Sequence, residues 1–432
     1  MNFYRLLALG LIVFVWIGCQ EDETGSLDMG SNPRLDEELE ATLRMAANGE
    51  DLDFFRLPDD GYYSEIPQDP RNPITPEKVQ LGRLLYHEPA LGVEAVQDGS
   101  LQTYTCASCH FAKAGFQANR VQGIGEGGLG FGPNRAPNPN YEEMELDVQD
   151  IRSPTAMNGA YQKNMLWNGQ FGATGLNTGT EASWTAGTPK EVNHLGYEGL
   201  ETQAIAGLEV HRQNIDIEAL NTLGYRQLFD QAFPNWPAQN RYTRETAGLA
   251  IAAYERTLLS NRAPFQRWLR GFEDAMTDLQ KEGAILFFGK AECVNCHTGP
   301  ALNSMAFHAL GMKDLFECPE PVFRADAQSV GNKGRGGFTG RPEDMFAFKV
   351  PQLYNLKDSP FYGHGSSMRS VREVVAYKNR AVPENPNVPT NQLSDEFHPL
   401  ELTEEEIDAI TAFIENGLYD PLLERYEPNS LP

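Results

Sequence analysis

Cys106-Ala107-Ser108-Cys109-His110 and Cys293-Val294-Asn295-Cys296-His297 are two copies of one pattern, CxxCH, and their reading decides the fold. In each copy the cysteine pair can form thioethers to the vinyl groups of a haem, while the adjacent histidine reaches the iron from below. Taken singly, a CxxC also suits half a zinc site or a redox disulfide. A second copy that again ends in histidine selects two covalently attached c-type haems. Cys106, Cys109, Cys293 and Cys296 are then the attachment points, and His110 and His297 the proximal iron ligands.

Working outward, Pro76-Glu77-Lys78-Val79 opens a helix before the first motif, with proline near its first turn. Thr277 to Phe288 is the corresponding helix before the second. Gly115 to Asn140 is dominated by glycine and proline and should form loops, as should Asn168 to Glu198. Further helices are expected at Leu35 to Ala47, packing as an extension of the first domain, and at Leu200 to His211, Arg244 to Leu259 and Val371 to Lys378. A last one runs from Thr403 to Glu415 behind a Thr403–Glu406 capping box. Period-two β-branched runs are scarce, so the fold class is mainly α: two haem domains with long loops. The expected boundaries are 20–56 for a tether and N-terminal extension, 57–262 for the first haem domain and 263–432 for the second, with Ser260 to Pro264 as the link.

Residues 1–19 read as a signal peptide, with a short basic head, an apolar run from Leu6 to Ile17 and then Gly18-Cys19. A cysteine at that place resembles a lipobox, so export to the periplasm and a membrane tether through a lipid on Cys19 are expected. The net charge of −25 argues against nucleic acid and suits a basic electron-donor protein. Cys318 has no evident partner, so no disulfide framework is implied.

The chain resembles the bacterial di-haem cytochrome c peroxidase family, including its MauG-like members. The matching segments are Leu81-Gly82-Arg83-Leu84-Leu85, Arg152-Ser153-Pro154-Thr155-Ala156-Met157-Asn158, Leu166-Trp167-Asn168-Gly169, Glu282-Gly283-Ala284, Phe307-His308, and Phe348-Lys349-Val350-Pro351 with Asn355. The resemblance implies two cytochrome-c-like domains. The N-terminal haem would react with hydrogen peroxide, and the C-terminal haem would take electrons from a small donor cytochrome. Trp167 would lie between them as a relay.

Where many peroxidases of this family carry a blocking histidine, counting 126 − 110 = 16 residues past His110 lands on Glu126. The first haem is therefore expected to be open without reductive activation. The distal acid–base machinery should lie between Gln203 and Gln213, with Gln203 at its first position, Glu209 as the preferred proton carrier and His211 as an alternative. For the distal ligand of the second haem, methionine or tyrosine in the family, the resemblance leaves Tyr377 or Lys378, with Tyr377 preferred. An Arg152–Asp358 ion pair is expected in place of the family's interdomain calcium, which makes calcium doubtful. Two functions follow from the resemblance: a peroxidase reducing hydrogen peroxide to water, or a MauG-like oxidase acting on a protein or small-molecule partner through a high-valent state. A pure electron carrier is a third class. A homodimer is left open.

Overall fold

The computed structural model describes residues 32–432; the signal sequence, Cys19 and most of the tether lie outside the described residues. Eleven α-helices occur among the described residues: α1 (Pro33–Ala46), α2 (Pro76–His87), α3 (Gly199–Val210), α4 (Ile217–Asn221), α5 (Tyr225–Ala232), α6 (Arg244–Arg256), α7 (Pro264–Trp268), α8 (Asp278–Phe288), α9 (Arg335–Thr339), α10 (Val371–Arg380) and α11 (Glu404–Ala412). Strands are confined to two antiparallel two-residue pairs, Gly128–Leu129 with Ala136–Pro137 and Phe307–His308 with Phe348–Lys349. The chain is thus mainly α, and Gly115 to Asn140 holds only that first pair and isolated turns.

Local chemistry explains the helix starts. Thr75 accepts from the Lys78 amide, with Pro76 at the first helical position, and Thr277 and Thr403 form capping boxes with Gln280 and Glu406. α6 stops at Arg256, three residues before the expected Leu259, and α11 runs on into a π turn at Phe413–Gly417.

Two helix crossings organise the molecule, and each is made by a glycine. A Cβ on Gly82 of α2 would stand 1.9 Å from the Ala250 carbonyl oxygen of α6. A Cβ on Gly283 of α8 would stand 1.9 Å from the Ala409 carbonyl oxygen of α11. Only glycine lets backbones meet this closely. Around the first crossing Leu81, Leu85, Leu249 and Ile251 build one core, and around the second Ala284, Phe287, Ile410 and Phe413 build another. Each large apolar side chain so buried contributes roughly 1.5–3 kcal/mol.

The terminal segments do not stay with the nearer core. α1 docks on α8 rather than on the first haem unit, with Leu39 and Leu43 fully buried in the second core beside Phe288. Asp36 fixes this docking: Lys281 Nζ lies 2.7 Å from its Oδ1, and Trp268 Nε1 donates to it at 2.6 Å. Conversely, Leu423 and Tyr426 near the C-terminus pack against the first core. The link at Ser260 to Pro264 is also firmly held. The Ser260 amide donates to Asn158 Oδ1 at 3.1 Å, its hydroxyl donates to Asn355 Oδ1 at 3.1 Å, and Pro264 opens α7.

Candidate haem sites and the passage between them

The two motifs are built alike. In each motif the first cysteine opens a 3-10 turn, Cys106–Ser108 or Cys293–Asn295, and the second caps it, and all four thiols are free of disulfides. His110 Nδ1 lies 3.2 Å from the Phe116 carbonyl oxygen, and His297 Nδ1 lies 3.0 Å from that of Leu302. A Nδ1–H donated to a carbonyl leaves the Nε2 lone pair for a metal. Burial pushes both imidazoles down to about 4, so both are neutral, as ligands must be. The backbones of Pro154 and Pro351 approach the same two histidines. Each proline is followed four residues on by an asparagine in the left-handed region, Asn158 (φ 54°) and Asn355 (φ 55°).

A continuous cavity surrounds the second motif. Cys293, Cys296, His297 and Phe287 line one part, and Val371, Val374, Val375 and Lys378 of α10 line another. It extends past Phe348 and His364 to Trp167, Arg152, Thr155 and Gln117, the loops beside the first motif. Two buried donors on this wall, Arg152 Nε and Gln117 Nε2, have no partner among the described residues. Orphaned donors beside an apolar slot fit a planar group that brings acceptors on its edge, as haem propionates do.

Trp167 lies on this wall. Trp167 Nε1 donates to the Arg152 carbonyl at 2.8 Å, and its ring meets His364 edge-on at 6.4 Å. His364 in turn stacks on Phe348 with centroids 3.6 Å apart and planes 11° from parallel. His364 is buried and within 3.1 Å of Asp314 Oδ1. Sequence reasoning missed His364, since nothing in the Gly363–Gly365 run marks an aromatic bridge.

The face of α3 sorts the distal candidates. Along this otherwise buried helix Gln203, Gly207, Val210 and His211 are half-buried, at spacings of four, three and one. They form one stripe about 100° wide that lies open. Gln203 has no hydrogen bond to any described residue, and only its Nε2 lies within 4 Å of a Cβ placed on Gly207. His211 Nδ1 lies 2.8 Å from Asp147 Oδ2, and its charge acts on His110, which places it at the first motif. Burial lowers the His211 pKa, but the Asp147 carboxylate more than offsets this and leaves it raised. Glu209, the preferred proton carrier, stands off that stripe: its side chain is 66% exposed and pairs with Arg244 at 3.2 Å. The helix phase, with 100° per residue, turns it to solvent. Asp147 was not singled out, because its partner is 64 residues away.

Glu126 is fully buried and accepts from the Val96 amide (2.6 Å), the Gln97 amide (3.2 Å), the Tyr141 hydroxyl (2.6 Å) and Arg212. With its oxygens so occupied it anchors the loop. The expected Arg152–Asp358 ion pair does not form. Arg152 donates instead to Gln117 and to Ser359 Oγ at 2.7 Å, and Asp358 accepts from Tyr419 and Asn355. A single residue separates Asp358 from Pro360, and the guanidinium reaches that residue first. Tyr377, the preferred ligand for the second iron, is fully buried outside the cavity lining and donates to the Leu310 carbonyl at 2.6 Å. Cys318 is buried, its thiol 3.4 Å from the Ser366 carbonyl.

Residues 76–274 match the family described as di-haem cytochrome c peroxidase. The chain is similar to di-haem cytochrome c peroxidases and MauG-like proteins along most of its length. It is 29% identical over 374 residues to the methylamine utilization protein MauG of Methylorubrum extorquens, covering 85% of this chain and 84% of that one. Against the cytochrome-c peroxidase IdrP1 of Denitromonas iodatirespirans it is 28% identical over 387 residues, covering 85% and 89%. A crystal structure of a MauG-like protein associated with microbial copper homeostasis shares the fold, with a TM-score of 0.58 at 23% identity over 85% of this chain and 95% of that one. That similarity marks the chain as an oxidoreductase and implies two c-type haems. No helix among the described residues is long and apolar enough to cross a membrane.

Proposed function

We propose that this di-haem peroxidase reduces hydrogen peroxide to water at the His110 site, drawing electrons singly through the His297 site from an external donor such as a small cytochrome. The observation that carries the reading is the pair of CxxCH sites joined by the Trp167, His364 and Phe348 wall, with a proton-carrying His211–Asp147 couple at the first. Haem c, when bound, supplies the iron and the redox equivalents that break the peroxide bond.

The chain's own residues do the rest. Asp147 holds the Nδ1–H of His211, so that neutral Nε2 accepts a proton from one peroxide oxygen and returns it to the other as that oxygen departs. Gln203 offers its amide to the same space. Glu126, its oxygens occupied by protein donors, would be held from serving as a ligand to a haem at His110. Trp167, His364 and Phe348 set π systems along the path that electrons take. Export to the periplasm with a lipid on Cys19 belongs to the same proposal and rests on the first nineteen residues.

Steady-state consumption of peroxide by full-length protein carrying both haems, with a reduced small cytochrome as donor, tests this. Turnover is the expected result; an inert protein with both haems attached overturns it.

A MauG-like oxidation of a protein or small-molecule partner is the second reading. It is favoured by the anchoring of Glu126 away from a ligand role and by the absence of methionine from α10. Peroxide added to the fully ferric protein without donor separates the two: a changed spectrum that persists favours the second reading.

A further inference from the structure

α10 carries two adjacent candidates for the space above the second motif, and their surroundings differ. Val371, Val374, Val375 and Lys378, at helical spacings of three, four and seven, all line the cavity that holds His297, Cys293 and Cys296. Tyr377 is turned about 100° from Lys378. Its hydroxyl is committed to the Leu310 carbonyl at 2.6 Å, and its ring lies against Phe397 at 5.3 Å.

From this placement we infer that Lys378 is the sixth ligand of the iron held by His297, an amine nitrogen where relatives use a thioether or a phenolate. The inference rests on the reading of Cys293 to His297 as a haem c site.

The Lys378 side chain has no ion pair or hydrogen bond to any described residue; its Nζ lies over the Phe397 ring, 5.3 Å from the centroid. Glu396, the carboxylate whose charge reaches it, is itself 3.3 Å from His308 Nδ1. The ammonium is close enough for its charge to act on Cys293, Cys296 and His297 alike. A half-buried lysine cation on a largely apolar wall, with no carboxylate within ion-pair distance, is costly. Coordination removes that cost: the ammonium gives its proton to solvent, and the freed lone pair forms the nitrogen–iron bond.

Two other side chains on the cavity are rivals. His308 directs Nδ1 to Ser394 Oγ at 3.1 Å and holds Nε2 3.5 Å from Cys296 Sγ, beside an attachment cysteine and with both ring nitrogens engaged. Met312 lies with its sulfur 3.3 Å from a Cβ placed on Gly363, on the loop side.

Full-length protein, with its haem-to-protein ratio measured, is compared with Lys378→Ala, Lys378→Met, Tyr377→Phe and Met312→Leu by ferric electron paramagnetic resonance and near-infrared charge-transfer spectra. The wild type should show one low-spin centre with two nitrogen ligands. Lys378→Ala should lose that signal as one of the two haems turns high-spin, and Lys378→Met should replace it with thioether ligation and a raised potential for that haem. Tyr377→Phe and Met312→Leu should leave it unchanged. The inference is overturned if the signal survives in Lys378→Ala, or if Tyr377→Phe or Met312→Leu alters it. A protein that takes up fewer than two haems overturns the haem reading itself, which the ratio reports separately from the ligand.

Discussion

His211 and Glu209 stand two positions apart on one helix and meet different surroundings. The first is held by Asp147 at the His110 site, and the second is paired with Arg244 in water. Removing the proposed proton carrier should therefore be sharply asymmetric. His211→Ala is expected to lower peroxide turnover by about a hundred- to ten-thousand-fold with haem content unchanged, while Glu209→Gln should leave turnover near wild type. The pH profile gives a further check. A base works when neutral, so activity should climb as pH passes the His211 pKa, which Asp147 holds above the ordinary value against the pull of burial. Asp147→Asn removes that support and should move the rising limb of kcat/KM to lower pH. A limb that stays put would show that another group carries the proton.

At the scale of elements, the glycine crossings are the joints most sensitive to substitution. Gly82→Ala or Gly283→Ala places a methyl 1.9 Å from a backbone carbonyl that cannot rotate away. Each should destabilise by about 1–3 kcal/mol, seen as a lower denaturation midpoint of the haem-loaded protein. The α1–α8 contact makes a second case. Lys281 is fully buried against Asp36, so Lys281→Ala strands a carboxylate and should cost about 3–5 kcal/mol by the same measurement.

These elements also show what a sequence can reveal. The CxxCH motifs, the capped helix starts and the loop between Gly115 and Asn140 were legible because each is written in adjacent residues. The stripe of Leu35, Leu39 and Leu43 announces that α1 buries a face, but not that the face meets α8 some 240 residues away. Likewise the Gln203 to Gln213 window holds both a solvent-facing Glu209 and a His211 held by Asp147. Telling their surroundings apart needed the rotational phase of α3, which no spacing supplies. The Arg152–Asp358 pairing failed for a similar reason: the guanidinium found the hydroxyl of Ser359 and the amide of Gln117 instead.

Over the whole molecule, the net charge of −25 creates a field that draws cations at long range and fades within about 8 Å at physiological ionic strength. With a basic donor cytochrome, the second-order rate of electron delivery should fall steeply as salt is raised, and with an uncharged artificial donor it should not. Equal salt dependence for the two donors would remove any role for the acidic surface in docking.

The outer described segments change places. α1 closes the core behind the second motif, while residues near the C-terminus close the first: the Ala112 amide donates to Glu427 at 3.2 Å, Lys113 pairs with Glu424 at 3.1 Å, and the Tyr254 hydroxyl donates to the Tyr426 carbonyl at 3.1 Å. A polypeptide emerging N-terminus first thus presents Cys106 and Cys109 long before Glu424, Tyr426 and Glu427, which bind beside that motif, have been made. The first core is completed only by residues that follow the second motif, and a first half excised at Ser260 to Pro264 would lose those contacts.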